Sequence, residues 1–411
     1  MRFLTFIALT AVLLAPASLY AQANGDMQGW PQWVQEGMNK ELRKTKLRQV
    51  KMPIETISIK LPGKSEPAQA IDDGWYINSD IKAGSPLECY IYTTALDLAS
   101  LTNILAENNI AAVAQGNGGE VGVRSVHYTD VGVVNGHPYM ALEWIYTIVV
   151  GTETQIGFTK VRTAVKGDIA FACSHNYLGY RETFAKAFSD FVENAEYEVP
   201  SPAPYYEEIA TLDFNGMGAG VAYFSFTEDD EGDIKMFASE ATILPVDAST
   251  IMTGDGVTVT YTSPDGELYN SIDVSVENGE IVSNLYLQRN DDDAWVSGGT
   301  MQGKQIETIL DGDISPASEL RMITAARELF AGDDTSVTLD VWVPSADPTR
   351  FLQATFTRDD AEVERQAEVS LGPINYVGQF DEHGNLADAV MALGPVTVTI
   401  NRVWSAGTPS R

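Results

Sequence analysis

Apolar residues recur along this chain at two periods. Trp30, Val34, Met38 and Leu42 fall at intervals of four, and the surrounding segment, 24–52, reads as a basic amphipathic helix. Leu96, Leu101, Ile104 and Leu105 predict a second helix. Phe184, Phe188, Phe191 and Val192 share one face of a third over 180–195. Between these the period falls to two, and 54–59, 89–92, 121–128, 138–150 and 156–173 read as strands.

Beyond residue 205 alternation dominates, at 258–261, 272–277, 280–287, 336–343, 352–357, 363–371 and 396–403. Asn278-Gly279 suits a two-residue hairpin turn. One helix interrupts the strands. Ser315 stands as its cap, Pro316 as its first residue, Leu320, Ile323 and Phe330 as its inner face, and Gly332 as its end. The expected fold is α+β: an antiparallel sheet with flanking helices, then a mainly β domain built as a sandwich or as a curved sheet around one helix. A chain of 411 residues exceeds what one hydrophobic core usually supports. Three prolines between Val199 and Pro204 mark a linker at 200–204, giving domains at 53–199 and 205–411.

Three stretches of the first domain carry a resemblance: Gly136-His137-Pro138-Tyr139, Ala141-Leu142-Glu143-Trp144-Ile145-Tyr146 and Gly167-Asp168-Ile169-Ala170-Phe171, followed by the helix at 180–195. Their order resembles the PsbP-like family over residues 54–200. That family includes photosystem assembly factors and many bacterial proteins without known activity. The resemblance implies an antiparallel sheet flanked by helices and brings no catalytic residue with it. No family is recognised for residues 205–411.

Charge changes the picture of the second half. The chain has 57 acidic against 26 basic side chains, a net −31, of which −26 falls beyond residue 200. Nucleic acid and anionic lipid would be repelled, so neither is expected as a partner. The first half instead concentrates cations at Lys40, Arg43, Lys44, Lys46, Arg48 and Lys51. One reading is an arm docking on an anionic surface, and the other is a helix that packs by its Trp face and neutralises the acidic half.

The N-terminus reads as a removable leader, 1–23. Arg2 opens it, an apolar stretch runs from Phe3 to Leu14, and small residues stand at Ala21 and Ala23, with cleavage expected after Ala23 or Ala21. No later run approaches the length of a membrane-spanning helix. A periplasmic or secreted soluble protein is therefore expected, and in that oxidising compartment Cys89 and Cys173 form a disulfide between strands.

Motifs for chemistry are sparse. G-x-S-x-G and H-E-x-x-H are absent, and the four histidines, His127, His137, His175 and His383, include no pair at i, i+4. His127 and His137 bracket a hairpin and would have to meet in space to bind a metal. Asp229, Asp230 and Asp233, and Asp291, Asp292 and Asp293, offer hard oxygen ligands for calcium without the EF-hand spacing. Tyr205, Tyr206, Tyr223, Phe224, Trp295, Trp342, Phe351, Phe356 and Tyr376 are the aromatics that would line an apolar pocket or fill a core. The expected role is non-catalytic: binding, carrying or assembling in the envelope, with a small apolar ligand or a protein as partner. The rivals are a hydrolase using two carboxylates of the β domain and a calcium-stabilised structural protein.

Overall fold

The computed structural model describes residues 30–197, 202–310, 313–358, 363–394 and 396–409. The expected leader and residues 200 and 201 of the expected linker lie outside the described residues. Among the described residues two units divide the chain: one comprises those from 30 to 197 with Thr242–Thr253, the other those from 202 to Ala241 and from Gly254 on.

In the first unit, strands β1 (Gly74–Ala83), β2 (Ser85–Tyr92), β3 (Glu120–Val134), β4 (His137–Val150), β5 (Glu153–Lys166) and β6 (Ile169–His175) form an antiparallel sheet in the order β1-β2-β6-β5-β4-β3. The expected strand at 156–173 is two strands, because Gly167 takes a positive φ of 59° and turns the chain. Asn135 and Gly136, at φ 49° and 70°, make the tight turn between β3 and β4.

Alternation gives this sheet two apolar faces. Leu142, Trp144 and Tyr146 pack with Leu101, Leu105 and Ile110 of helix α2 (Leu98–Gly116). Ile77, Cys89 and Phe171 point the other way and pack with Phe184, Phe188 and Phe191 of helix α3 (Arg181–Glu193). Each helix thus covers one face. Cys89 and Cys173 are register partners in β2 and β6, and they form a disulfide.

The basic helix expected over 24–52 is only six residues long among those described, α1 (Gln32–Gly37). Trp30, Val34 and Met38 do pack together, against Ile145, Phe158 and Leu178. Leu42 is off the helix because the chain turns after Gly37 to serve α3. Tyr180, at the start of α3, is left-handed with φ 61° and offers no side-chain cap. Glu41 caps α3 in its place: its carboxylate accepts hydrogen bonds from the amides of Glu182 and Thr183, at 2.9 and 2.7 Å, and from the Thr183 hydroxyl, at 2.6 Å. The Lys40 carbonyl accepts the Tyr180 amide at 2.6 Å. A helix continued through Leu42 would withdraw these groups. Strand pairing at 54–59 also shrinks, to Ile57–Ser58 against Glu196–Tyr197.

The second unit holds all but the Thr242–Thr253 portion of one antiparallel sheet of fourteen strands. Its strands are β7 (Tyr206–Phe214), β8 (Met217–Glu228), β9 (Ile234–Pro245), β10 (Ile251–Thr262), β11 (Leu268–Glu277), β12 (Glu280–Arg289), β13 (Trp295–Met301) and β14 (Lys304–Ile309), then β15 (Ser336–Val341), β16 (Leu352–Arg358), β17 (Gln366–Leu371), β18 (Ile374–Phe380), β19 (Leu386–Leu393) and β20 (Val396–Gly407). Two meanders, β7 to β14 and β15 to β20, join where β20 pairs with β7. Helix α4 (Glu319–Ala331) links the two free ends. Leu320 of α4 packs with Tyr206, Phe226, Ile234 and Met236, and Phe330 meets Phe380 at 5.6 Å. Leu287 and Trp295, near one end of the sheet, share a cluster with Trp342 and Phe351, near the other. The sheet therefore curves around the helix.

Ser318, not Ser315, caps α4, with its side chain accepting from the Arg321 amide. Residues before it cannot enter the helix, because the Ala317 amide donates to Asp340 and Ala317 bridges to Glu267 as a strand would. Asn278 and Gly279 form the expected turn between β11 and β12, both with positive φ, 50° and 81°.

One strand pair is turned about. In the facing parts of β10 and β11 the hydroxyl residues Thr258, Thr260, Thr262, Ser271 and Ser275 are buried, while Tyr261 and Ile272 are exposed and Val257 and Val259 half-buried; Leu268 and Val276, near the ends of β11, are buried as well. The buried hydroxyls pair across the strands: Thr258 donates to Asp273 at 2.9 Å, and Thr260 and Ser271 lie 3.1 Å apart.

The disulfide closes a loop with a sequence separation of 84, for which chain entropy gives about 4 kcal/mol of stabilisation. Replacing both cysteines by alanine should lower the melting temperature of the first unit by about 10 °C in calorimetry. An unchanged transition would show that the bridge adds nothing to stability.

Candidate ligand cavity

Curving the sheet around α4 leaves a gap that side chains do not fill. About 90 Å³ of it is open to the centres of water molecules, and one water needs only about 10–15 Å³ by that measure. Each wall follows from alternation along a strand. Ala210, Ala222, Phe224, Met236, Ala238 and Ile400 supply apolar surface, and Thr258 and Ser275 come from the reversed strand pair. Four carboxyl groups also line it: Glu208 on β7, Glu240 on β9, Asp273 on β11 and Glu319 on α4. Lys, Arg and His are missing from the described lining.

Glu240 is in phase with buried Ile234 and Met236 and half-buried Ala238, so the pleat turns its side chain to the same face, where it is itself half-buried. Gly256 on β10 makes the room. A Cβ there would stand 2.6 Å from Glu240 Oε1 and 2.8 Å from its Cγ, closer than atoms can approach. Burial holds the Glu240 pKa well above the ordinary carboxyl value, and the charges of Asp273 and Asp255 push the same way.

Glu208 is treated differently. Burial raises its pKa too, but the Tyr206 hydroxyl donates to it at 2.5 Å and Arg402 lies 3.7 Å away, both favouring the charged form. Arg402 is shared with Asp381, at 2.7 Å; burial raises the Asp381 pKa, but the Arg402 hydrogen bond and the Asn385 amide outweigh it and hold Asp381 low. At Glu208 burial outweighs its partners and the pKa stays raised, so the cavity holds two raised carboxyls, a partnered one at β7 and Glu240 at β9.

The calcium candidates are used otherwise. The Asp229 carboxylate accepts the amides of Glu231 and Asp233, at 2.9 and 3.0 Å, as a turn residue does. Asp233 accepts from Tyr269 at 3.2 Å, and Asp293 pairs with Arg289 at 3.1 Å. The Asp292 amide donates to the Asn290 side chain, while Asp230 and Asp291 are exposed in the same two turns. Among the described residues, no three His, Cys, Asp or Glu side chains gather as a metal would require.

The histidines do not meet. His137 pairs in register with Val134, whereas His127 lies beside the Tyr128–Glu143 pair, roughly 20 Å further along the hairpin at the rise of a strand. His137 is 2.7 Å from the Tyr197 hydroxyl. Of the aromatics, Tyr223 and Phe224 reach the cavity; Trp295, Trp342 and Phe351 fill the cluster that joins the sheet's ends.

A second polar group lies under α3 in the first unit. Arg181 grips Glu143 through Nε and a terminal nitrogen, at 3.0 and 2.7 Å, and stacks 4.1 Å over Tyr128. Lys160 is paired in register with Glu143 and donates to the Tyr177 carbonyl. Burial lowers Lys160 to about 8 and His127 to about 4. Glu143 and Lys160 have their partners, so this network ties the helix to the sheet.

No family model matches this chain, and no curated protein matches it. Solved structures similar to it include a β-barrel-like protein of a domain of unknown function, DUF1849, from Brucella abortus, at 15% identity and TM-score 0.36, covering 49% of this chain and 97% of that one. A DUF1089 protein from Pseudomonas aeruginosa covers 40% of this chain and 86% of its own, at 13% identity and TM-score 0.25. The cyanobacterial PsbP of Synechocystis covers 39% and 96%, at 10% identity and TM-score 0.25.

A carboxyl whose folded pKa lies above its unfolded value binds more protons when folded, so its contribution is full below about 4.5 and is lost as pH rises. Glu240→Gln removes that loss. The variant should melt with the wild type at pH 4 and progressively above it towards pH 8. A melting difference that does not vary with pH would show that Glu240 titrates normally.

Proposed function

We propose that this protein is a non-catalytic binding or carrier protein of the cell envelope, holding a small, mostly apolar ligand inside its C-terminal curved sheet. The observation that carries this reading is the cavity itself. A folded sheet that could have closed on leucine and valine, as β12 does with Leu285 and Leu287, instead leaves a space walled by alanine, a glycine and hydroxyls. Mixed walls of this kind, apolar with a few convergent polar groups, are what small-molecule sites present. A buried disulfide and the leader-like first 23 residues support an oxidising location, periplasmic or extracellular. No described helix is long and apolar enough to cross a membrane.

Glu240, raised beside Asp273, also favours a second reading. A carboxyl held protonated beside a second one is what a hydrolase needs for a general acid. The two readings differ in outcome, since a hydrolase loses turnover when Glu240 becomes Gln and a carrier has no turnover to lose.

Native mass spectrometry of the chain purified from its own compartment tests the carrier reading. A reproducible extra mass, released on denaturation and absent from Ala238→Phe at an unchanged melting temperature, is the expected result. A bare protein mass in both forms would overturn it.

A further inference from the structure

We propose that the segment 40–51, with Trp33 beside it, docks this protein on the surface of an anionic lipid bilayer. The inference goes beyond the cavity reading and does not depend on it, since every residue involved lies in the first unit. Two independent features meet at this place.

The first is a run of cations without partners. Lys40, Arg43, Lys44, Lys46, Arg48 and Lys51 are all exposed, and among the described residues no carboxylate stands within ion-pair distance of any of them. Two acids of the same stretch are engaged otherwise: Glu36 accepts from the Gln32 side chain at 2.7 Å, and Glu41 caps α3. Backbone pairing holds the run in place. The strand Leu47–Gln49 pairs with Lys60–Pro62, the Gly63 amide donates to the Lys46 carbonyl at 3.2 Å, and the Val50 amide donates to the Ile59 carbonyl at 3.1 Å. Lys60, opposite Gln49, is a further exposed cation. A segment that served to neutralise acids of its own chain would hold them at ion-pair distance.

The second feature is apolar. Trp33 on α1 is 54% exposed, while Val34 beside it is fully buried. It lines an open groove with Ile148, Ile156, Tyr177 and Leu178, and Lys40 lines the same groove. Lys40 therefore joins the two features. A tryptophan places its apolar body and its N–H in the headgroup region of a bilayer, and basic residues beside it meet the phosphates. A soluble polyanion would use the cations alone, so the combination selects a lipid surface.

The net charge of −31, which by itself would repel anionic lipid, acts only within the screening length. At about 0.15 M salt that length is about 8 Å, so the bilayer responds to the cations that face it.

Co-sedimentation of the mature chain with vesicles tests this, comparing phosphatidylcholine alone with equal parts of phosphatidylcholine and phosphatidylglycerol. The wild type should bind the anionic vesicles at least tenfold more tightly than the neutral ones, and less tightly as salt rises. Each cation near such a surface is worth about fivefold in affinity, so Arg43→Gln, Lys44→Gln and Lys46→Gln together should weaken binding about a hundredfold. All three side chains are exposed, so the melting temperature should be unchanged. Trp33→Ser should weaken binding severalfold. No binding to either vesicle, equal binding to both, or binding that survives the triple substitution would overturn the proposal. So would a Trp33→Ser variant that binds as the wild type does, because the surface would then suit any soluble polyanion. Each of these failures leaves the carrier reading standing, since the cavity takes no part.

Discussion

Along a strand the side chains alternate with a period of two, so no residue can change face without carrying its neighbours across. The second unit is organised by that constraint. Once β10 turns Tyr261 outward, Thr258, Thr260 and Thr262 must face the helix, and β11 follows in register with Ser271, Asp273 and Ser275. Polar side chains on an inner face are tolerable only if paired, and the Thr258–Asp273 and Thr260–Ser271 contacts pair them. These short side chains do not fill the curve as leucines would. The cavity is the remainder, and Gly256 lets the carboxyl of the adjoining strand extend into it.

Electrostatics then distinguishes the acids. Glu208 is answered by Tyr206 and Arg402, and Glu143, in the first unit, by Arg181. Both are buried carboxylates with partners at hydrogen-bonding or ion-pair distance, which is how proteins usually hold such groups. Glu240 is half-buried at the cavity, and its pKa is raised mainly by desolvation and by the charge of Asp273.

Much of this was legible from the residues. Helix faces at Phe184, Phe188 and Phe191, the Asn278-Gly279 turn and the Cys89–Cys173 pairing all follow from short-range patterns, and the structure contains each of them. Long-range claims on a segment were not legible. The helix at Trp30 stops at Gly37 because Lys40 and Glu41 serve α3, a hundred and forty residues away in sequence. Ser315 lost the cap to Ser318 because β15 and Glu267 hold Ala317 extended. The aspartate runs lie in turns, where Asp229 accepts the amides of Glu231 and Asp233. Glu240 did carry a signal, an acid in phase with Ile234, Met236 and Ala238. Reading it needed the knowledge that this phase faces inward, and in β10 and β11 hydropathy points to the opposite face.

Both cysteines of the bridge have no exposed surface, and Phe184, Phe188 and Phe191 of α3 belong to the same cluster. Oxidation by an external dithiol or a disulfide catalyst needs an approaching sulfur, and the finished sheet admits none. The bond must therefore form while β2 and β6 are still reachable, before α3 is seated. That makes it a matter of timing during maturation: a chain that packs α3 first keeps two sequestered thiols, and one that is oxidised first is shielded thereafter from the reductants around it.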